Sequence, residues 1–326
     1  MGASSSGCGT SSSSSTLRQG QGGGGLRVVG KFLRGAIGFL LAMEIALFHI
    51  LLRREKRRMA EYFEKNGGPI LKEVNNIKIF KKEELKLILK SHNIIGKGAF
   101  GEVYKGLLND QEVAVKKPAV NVDAAQKGQF ANEVIIQSRI IHRNIVRLIG
   151  CCLEVDVPIL VYEFISKGSL HDILHGDNLK PLNLDQRLSI AAESAEGLAY
   201  MHSKTNTTIL HGDVKPANIL LNDDFVPKIS DFGISRLIAI DKAQQEKKKA
   251  TYSDNGNLIE SFLDAHKKKS KGPELFDMEI TTTGDQELLE CLARIDVECL
   301  EYDVDQRPDM TYVAERLLLL KRSHDN

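Results

Sequence analysis

The amino-acid sequence predicts an α+β protein, a small β-rich part followed by a helical one, behind an N-terminal membrane helix. Three observations carry that expectation. A glycine-spaced hairpin pattern runs from Ile95 to Lys116, segments of helical period come after it, and the polar stretch from His211 to Gly233 lies between them. That stretch reads HGDVKPANILLNDDFVPKISDFG, and the rest of the chain is organised around it.

Composition narrows the class. The 326 residues carry a net charge of +1, with 42% hydrophobic and 27% charged residues, close to ordinary globular usage. This balance offers no electrostatic footprint for a nucleic-acid partner. The five cysteines (Cys8, Cys151, Cys152, Cys291 and Cys299) show no C-x-x-C spacing, and the adjacent pair is too close in sequence to bridge itself, so they read as idle or buried thiols.

From the start, residues 1–34 read as a structureless Ser/Gly-rich tail. Its opening, Met1 to Ser6, fits the minimal myristoylation pattern with Cys8 as a second acyl site; a plain flexible tail is the competing reading. Residues 35–52 form an apolar run with one acid, Glu44. Eleven strongly apolar residues favour insertion by about 3 to 6 kcal/mol, against roughly 2.5 to 3.5 for the central acid, so the balance supports a span. An amphipathic or buried helix with Glu44 solvated is the alternative. The basic cluster Arg53, Arg54, Lys56, Arg57 and Arg58 places the remainder of the chain on the cytoplasmic side. Residues 53–92 read as a charged juxtamembrane tether, with a strand-like Ile77–Phe80 and a short helix over Lys82–Lys90.

The next segment carries the first chemistry. Gly96, Gly98 and Gly101 are spaced G-x-G-x-x-G, a weak signal alone because dinucleotide folds use it at a strand-to-helix turn. Here Val103 and Tyr104 continue as a strand, Asn109-Asp110 makes a polar turn, and Glu112 to Lys116 is a second strand. A hairpin with glycines at its tip lets backbone amides approach phosphates without Cβ clashes. Lys116 ends that strand; its neighbour Lys117 points to the other face. Glu133 lies in a helical pattern 17 residues on, Ile159 to Tyr162 is an apolar strand, and Leu184 to Ser203 is helical.

Singly, a D-F-G is a turn and a loop Asp is a cap. In order, H-x-D-x-K-x-x-N, Ile219–Leu221, Asn222–Asp224, Lys228–Ser230 and D-F-G leave little room for coincidence. With HRNIVRLIGCCLE and LVYEFISKGSL they make the chain resemble the plant receptor-like Ser/Thr protein kinases, most like the wall-associated group, over Asn93 to Leu237. The resemblance implies ATP and Mg²⁺ as cofactors, and protein substrates or partner kinases. Asp213 would receive the substrate hydroxyl proton, Lys215 would steady the phosphoryl group and favour Ser/Thr, and Asn218 and Asp231 would hold Mg²⁺. The nucleotide would lie among Ile95, Gly96, Gly98, Gly101, Val103, Ala114, Lys116, Glu133, Tyr162, Glu163, Phe164 and Leu220. Lys116 would pair with the α- and β-phosphates and Glu133 with Lys116, while Tyr162 would guard the back of the adenine pocket and Glu163 to Ile165 form the hinge. Tyr162 also reads simply as a core aromatic.

The departures bear on turnover. Gly212 stands where many kinases have the Arg that pairs with a phosphorylated activation loop. After Leu237 the peptide-positioning loop, the A-P-E segment and the central helix of the large lobe are absent, and the pattern resumes near Ala250 and runs to Asp305-Gln306-Arg307-Pro308. On this reading no ectodomain precedes the span, the kinase domain covers 93–320 with a lobe truncated after about 240, and 321–326 is a tail. The expected protein is a single-pass plasma-membrane kinase with its domain in the cytoplasm. An ATP-holding pseudokinase or decoy, or a poorly folding product of altered splicing, are the rivals. The helical stretches around Leu258–Ala265, Glu287–Leu300 and Met310–Leu320 must repack, and Arg307, deprived of its A-P-E glutamate, needs solvent or an acid such as Glu274.

Overall fold

The computed structural model describes residues 23–72, 77–98, 101–119, 124–176, 181–205, 207–238, 263 and 286–324. The chain separates into two compact units, residues 1–58 and 59–326. Met1 to Cys8, the stretch 240–250, Glu274 and nearly all of 258–265 lie outside the described residues.

The first unit is dominated by α1 (Gly23–Lys65). Its portion Arg34–Lys65 has mean hydropathy 2.1 over its most apolar window, none of it buried, and is long and apolar enough to cross a membrane. The helix outruns the apolar run at both ends, so the expected structureless tail is already helical from Gly23. Hydropathy marks only the apolar part. The flanking Arg, Lys, Glu and Leu residues are good helix formers and continue the hydrogen-bond ladder regardless of polarity.

In the second unit, the expected tether proves to be part of the folded lobe. Past the end of α1, the Asn66 amide donates to the carbonyls of Leu153 (3.0 Å) and Val155 (2.8 Å). After α2 (Gly68–Lys72), β1 (Lys78–Ile79) pairs in parallel with β5 (Leu148–Cys152), and Phe80 N–H donates to Cys151 O at 2.9 Å. The expected helix over Lys82–Lys90 is only α3 (Lys82–Leu85), continued by turns. Phe80, Leu85 and Ile88 are buried with Tyr104, Val113, Val115 and Val161. The contact is so close that a Cβ on Gly106 would stand 2.5 Å from Ile88, and one on Gly150 would stand 2.1 Å from Lys78 O. Any larger residue at either place would push this segment off the sheet. Residues from Met59 onward accordingly group with the second compact unit.

The sheet itself comprises β1, β5, β6 (Ile159–Glu163), β4 (Gln111–Pro118), β3 (Gly101–Leu108) and β2 (Ile94–Gly98), in that spatial order. Asn109 (φ 49°) and Asp110 (φ 62°) make the β3–β4 turn, a left-handed pair suited to these short polar side chains. On the face opposite Phe80, α4 (Ala124–Gln137) contributes Val134 to a core with Val146, Leu148, Leu160 and Tyr162. A further cluster joins Ile136 and Ile140 to Ile145, Met201, Ile209, Ile229 and Phe232, so one apolar seam runs from α4 into the helical lobe.

In that lobe, α5 (Leu170–His175) is capped by Ser169 and α6 (Leu184–Ala199) by Asn183, each through a reciprocal side-chain capping box. A π-turn at Tyr200–Lys204 ends α6 and delivers the chain to β7 (Thr208–Leu210). The pair β8 (Ile219–Leu221) and β9 (Pro227–Ile229) comes next, and β10 (Arg236–Ile238) returns to β7. The terminal helices α7 (Gln286–Cys299) and α8 (Met310–His324) settle the repacking: Ala192 and Ala195 of α6 bury against Ile295, Val313, Ala314 and Leu317. Small residues on α6 let α8 approach closely. Arg307 Nε donates to Glu301 O at 2.7 Å; Glu274, the acid considered for it, lies outside the described residues.

Candidate functional site

Each site residue is placed by a local cause. Gly101 adopts φ +138°, and a Cβ there would meet Lys117 O at 2.1 Å, so position 101, paired with Gly98 across the hairpin, is closed to side chains. Ala99 and Phe100 lie outside the described residues. The strand register then sets Lys116 opposite Val103 and Leu160, and Ala114 opposite Tyr162. Lys117 pairs across the strand with Glu102, which leaves Lys116 to face α4.

Lys116 is the hub. Its Nζ lies 2.9 Å from Glu133 Oε2 and 2.9 Å from Asp231 Oδ1. Burial alone would push the ammonium down, but the two carboxylates outweigh it and hold Lys116 above its ordinary range. Burial likewise works to raise Asp231, yet the adjacent ammonium wins and keeps its carboxyl below the usual value. Glu133 is 2% exposed, and its other oxygen accepts the Tyr162 hydroxyl at 2.5 Å. Burial and the neighbouring Glu133 carboxylate drive that phenol well above 10. Tyr162 is thus both a core aromatic and a tie to Glu133, a contact between residues 29 apart that the sequence reading missed.

The second cluster is more local. Lys215 Nζ is 2.6 Å from Asp213 Oδ2. Asn218 Nδ2 donates to Asp213 O at 2.9 Å and to Asp213 Oδ2 at 3.0 Å, which leaves Asn218 Oδ1 as the oxygen offered elsewhere. Pro216–Asn218 is a single 3₁₀ turn, and Ser230 donates to Asn218 O through both N–H (2.8 Å) and hydroxyl (3.0 Å). The two clusters meet at His211, which is 2% exposed. Its Nδ1 accepts Asp213 N–H at 3.2 Å, which makes Nε2 the protonated nitrogen donating to Ser230 O at 2.9 Å. Burial holds this imidazole below its ordinary pKa, in keeping with the neutral tautomer. Asp231 sits at φ +66°, a left-handed conformation that Asp tolerates, and this aims its carboxylate back at Lys116.

The remaining predicted residues flank these clusters. Ile95 is 52% exposed, Gly96 faces Val103 across β2–β3, and Leu220 bridges to Ser169. Glu163 Oε1 receives Arg147 N–H (2.9 Å) and Lys228 Nζ (2.8 Å), so its side chain braces the strands, and its own N–H donates to Arg147 O at 3.1 Å. Lys105 Nζ lies 3.9 Å from the ring centre of Phe164.

Among the described residues no group of three or more His, Cys, Asp or Glu side chains converges to hold a metal alone. Asn218 Oδ1 and the Asp231 carboxylate are hard oxygen donors that suit Mg²⁺, an ion that takes one or two protein ligands and completes its octahedron with phosphate and water.

Residues 89–267 match the family model described as protein tyrosine and serine/threonine kinase. The chain is similar to Wall-associated receptor kinase 5 of Arabidopsis thaliana, 35% identical over 342 residues that cover 87% of this chain and 46% of the relative. It is likewise similar to Wall-associated receptor kinase 1 (33%, covering 87% and 46%) and to Putative wall-associated receptor kinase-like 16 (36% over 314 residues, covering 80% and 72%), both from the same plant. The chain thus spans about half the length of the first of these.

Proposed function

The chain belongs to the protein tyrosine and serine/threonine kinase family, and from that premise we propose that it binds Mg-ATP against the Lys116–Asp231 pair and transfers the γ-phosphoryl group to protein Ser/Thr hydroxyls. The observation that carries this reading is Lys116 held at 2.9 Å from both Glu133 and Asp231. Such a lysine presents a fixed positive charge to two phosphates, because Glu133 orients it from α4 while Asp231 stays within the same reach. Asn218 and Asp231 would hold Mg²⁺, which supplies charge neutralisation along the triphosphate. Asp213 accepts the proton of the attacking hydroxyl, and Lys215, 2.6 Å from Asp213, places an ammonium where the transferred group would pass. Gly98 and Gly101 leave backbone N–H groups free of side-chain cover at the hairpin tip.

The relatives named receptor kinases support a membrane-attached reading, with α1 as the span and the basic run Arg53–Arg58 as its cytoplasmic edge. The A-P-E segment missing after Leu237 favours a second reading, an ATP-holding module that engages partner kinases without turning over protein substrates. A thermal shift with Mg-ATP that vanishes in Lys116→Ala tests the pocket; no shift in folded wild type would refute both readings. Transfer of labelled γ-phosphate that is lost in Asp213→Asn marks the enzyme, and binding without transfer marks the module. Release from membranes by alkaline carbonate would refute the span.

A further inference from the structure

We infer that Asn132 and Ser235 are positioning residues that tie α4 to both loops of the site through uncharged hydrogen bonds, so that helix and loops move as one. The inference rests on the kinase reading above and assigns it two residues that no motif singles out.

Asn132 precedes Glu133 on α4 and is half-buried. While Glu133 is drawn toward the sheet by Lys116 and Tyr162, the Asn132 amide turns to the other lobe. There Nδ2 donates to Ser235 O at 2.6 Å and reaches Gly233 O at 3.5 Å. A primary amide has two N–H groups, and here two carbonyls of the loop after Asp231 stand in front of them. Ser235 is 2% exposed. Its N–H donates to Phe232 O at 3.1 Å, and its hydroxyl donates to His211 O at 2.8 Å. His211 in turn accepts Asp213 N–H and donates to Ser230 O. A continuous path of hydrogen bonds therefore runs from the helix bearing Glu133, through Ser235, to the backbone that presents Asp213.

Gly212 lies beside this path at φ +86°, where a Cβ would come within 3.3 Å of Ile234 O. A residue without a side chain can contribute no charge between α4 and the Asp213 loop, and the ties described here run through neutral amide and hydroxyl groups. Because neutral bonds are little screened, the coupling should persist at high ionic strength, unlike one made by exposed ion pairs. An alanine at 235 removes the donor from His211 O but keeps the backbone, whereas a threonine retains the hydroxyl.

The test uses the full chain in detergent micelles and a fluorescent ATP analogue titrated with and without Mg²⁺. Mg²⁺ senses the Asp213–Asp231 loops, while the analogue alone senses the hairpin and hinge. Asn132→Ala and Ser235→Ala should each reduce the tightening by Mg²⁺ about fivefold and leave Mg²⁺-free binding within about twofold. The double variant should be no more than about twofold worse than the worse single one, and Ser235→Thr should match wild type. Multiplying effects, an unchanged Mg²⁺ response, or a Ser235→Thr as impaired as Ser235→Ala would overturn the relay. If wild type binds no nucleotide, the kinase reading fails instead, and the relay is judged by urea unfolding of the same four variants. Non-additive midpoints would then uphold it, and additive ones would sink it.

Discussion

Replacing Gln137 by leucine should stabilise the folded unit. Gln137 ends α4 one turn beyond Glu133 and is 4% exposed, and neither the nitrogen nor the oxygen of its amide has a hydrogen-bond partner among the described residues. An amide taken from water without a partner costs on the order of 1–3 kcal/mol. Leucine removes that cost and has nearly the same reach, so repacking should return less than about 1.5 kcal/mol of strain. The balance is a gain of about 1–2 kcal/mol, which for a domain of this size raises the melting temperature by roughly 2–8 °C. Urea unfolding followed by far-UV circular dichroism reads the midpoint, and hydrogen exchange across α4 reads the location. Protection should rise in that helix, because swinging it outward is what would hydrate the amide. A leucine variant with native circular dichroism and a lower midpoint than wild type would show that the amide is bonded after all, and the reasoning would fall. Gln137→Glu makes the opposite case: a second buried carboxylate one turn from Glu133 should destabilise by more than the leucine gains.

Lys116→Met removes the cation between Glu133 and Asp231 and should cost about 2–4 kcal/mol in the same unfolding assay, with Lys116→Arg recovering part of it; an unchanged midpoint would mean that the carboxylates find another donor. Tyr162→Phe deprives buried Glu133 of a hydroxyl and should cost about 1–2 kcal/mol, less once Glu133 is already Gln. His211 is held below its ordinary value of 6.5, so below that pH the unfolded chain binds a proton that the native imidazole refuses. Stability should therefore fall as pH drops through 6.5 toward the folded pKa, and a His211→Asn variant should show a shallower fall in urea midpoint over that window.

Much of the site was legible because its parts are close in sequence. Asp213, Lys215 and Asn218 share one loop, and the fixed order of H-x-D-x-K-x-x-N and D-F-G carries the loop conformation with it. The hairpin was legible for the same reason: Gly98, Gly101 and the Asn109-Asp110 turn are signals that act over a few residues. Contacts between distant residues left no such mark. Nothing beside Tyr162 announces that its hydroxyl reaches Glu133, and nothing beside Asn132 announces Ser235, because a polar residue at either place reads equally well as solvated.

Residues 59–92 read as a tether although a local signal to the contrary was present on the partner strands. Gly106 and Gly150 lie inside strands, where glycine weakens the ladder and needs a compensating reason. The reason is close approach: Ile88 over Gly106, and the Lys78 carbonyl over Gly150. An alternating segment such as Ile77–Phe80 has one face to bury, and strand glycines elsewhere in the chain offer the places where another backbone can come near enough to do it. The consequence is mechanical as well as architectural. β1 pairs with β5, β5 with β6, and β6 carries the tyrosine that holds Glu133, so strain applied to residues 77–80 is only two ladders away from the Lys116 ion pair. Substituting Ala at Gly150 should therefore detach the segment from the sheet and loosen Glu133 as well. Two inconspicuous glycines thus do as much to define the lobe as the glycines of the hairpin tip.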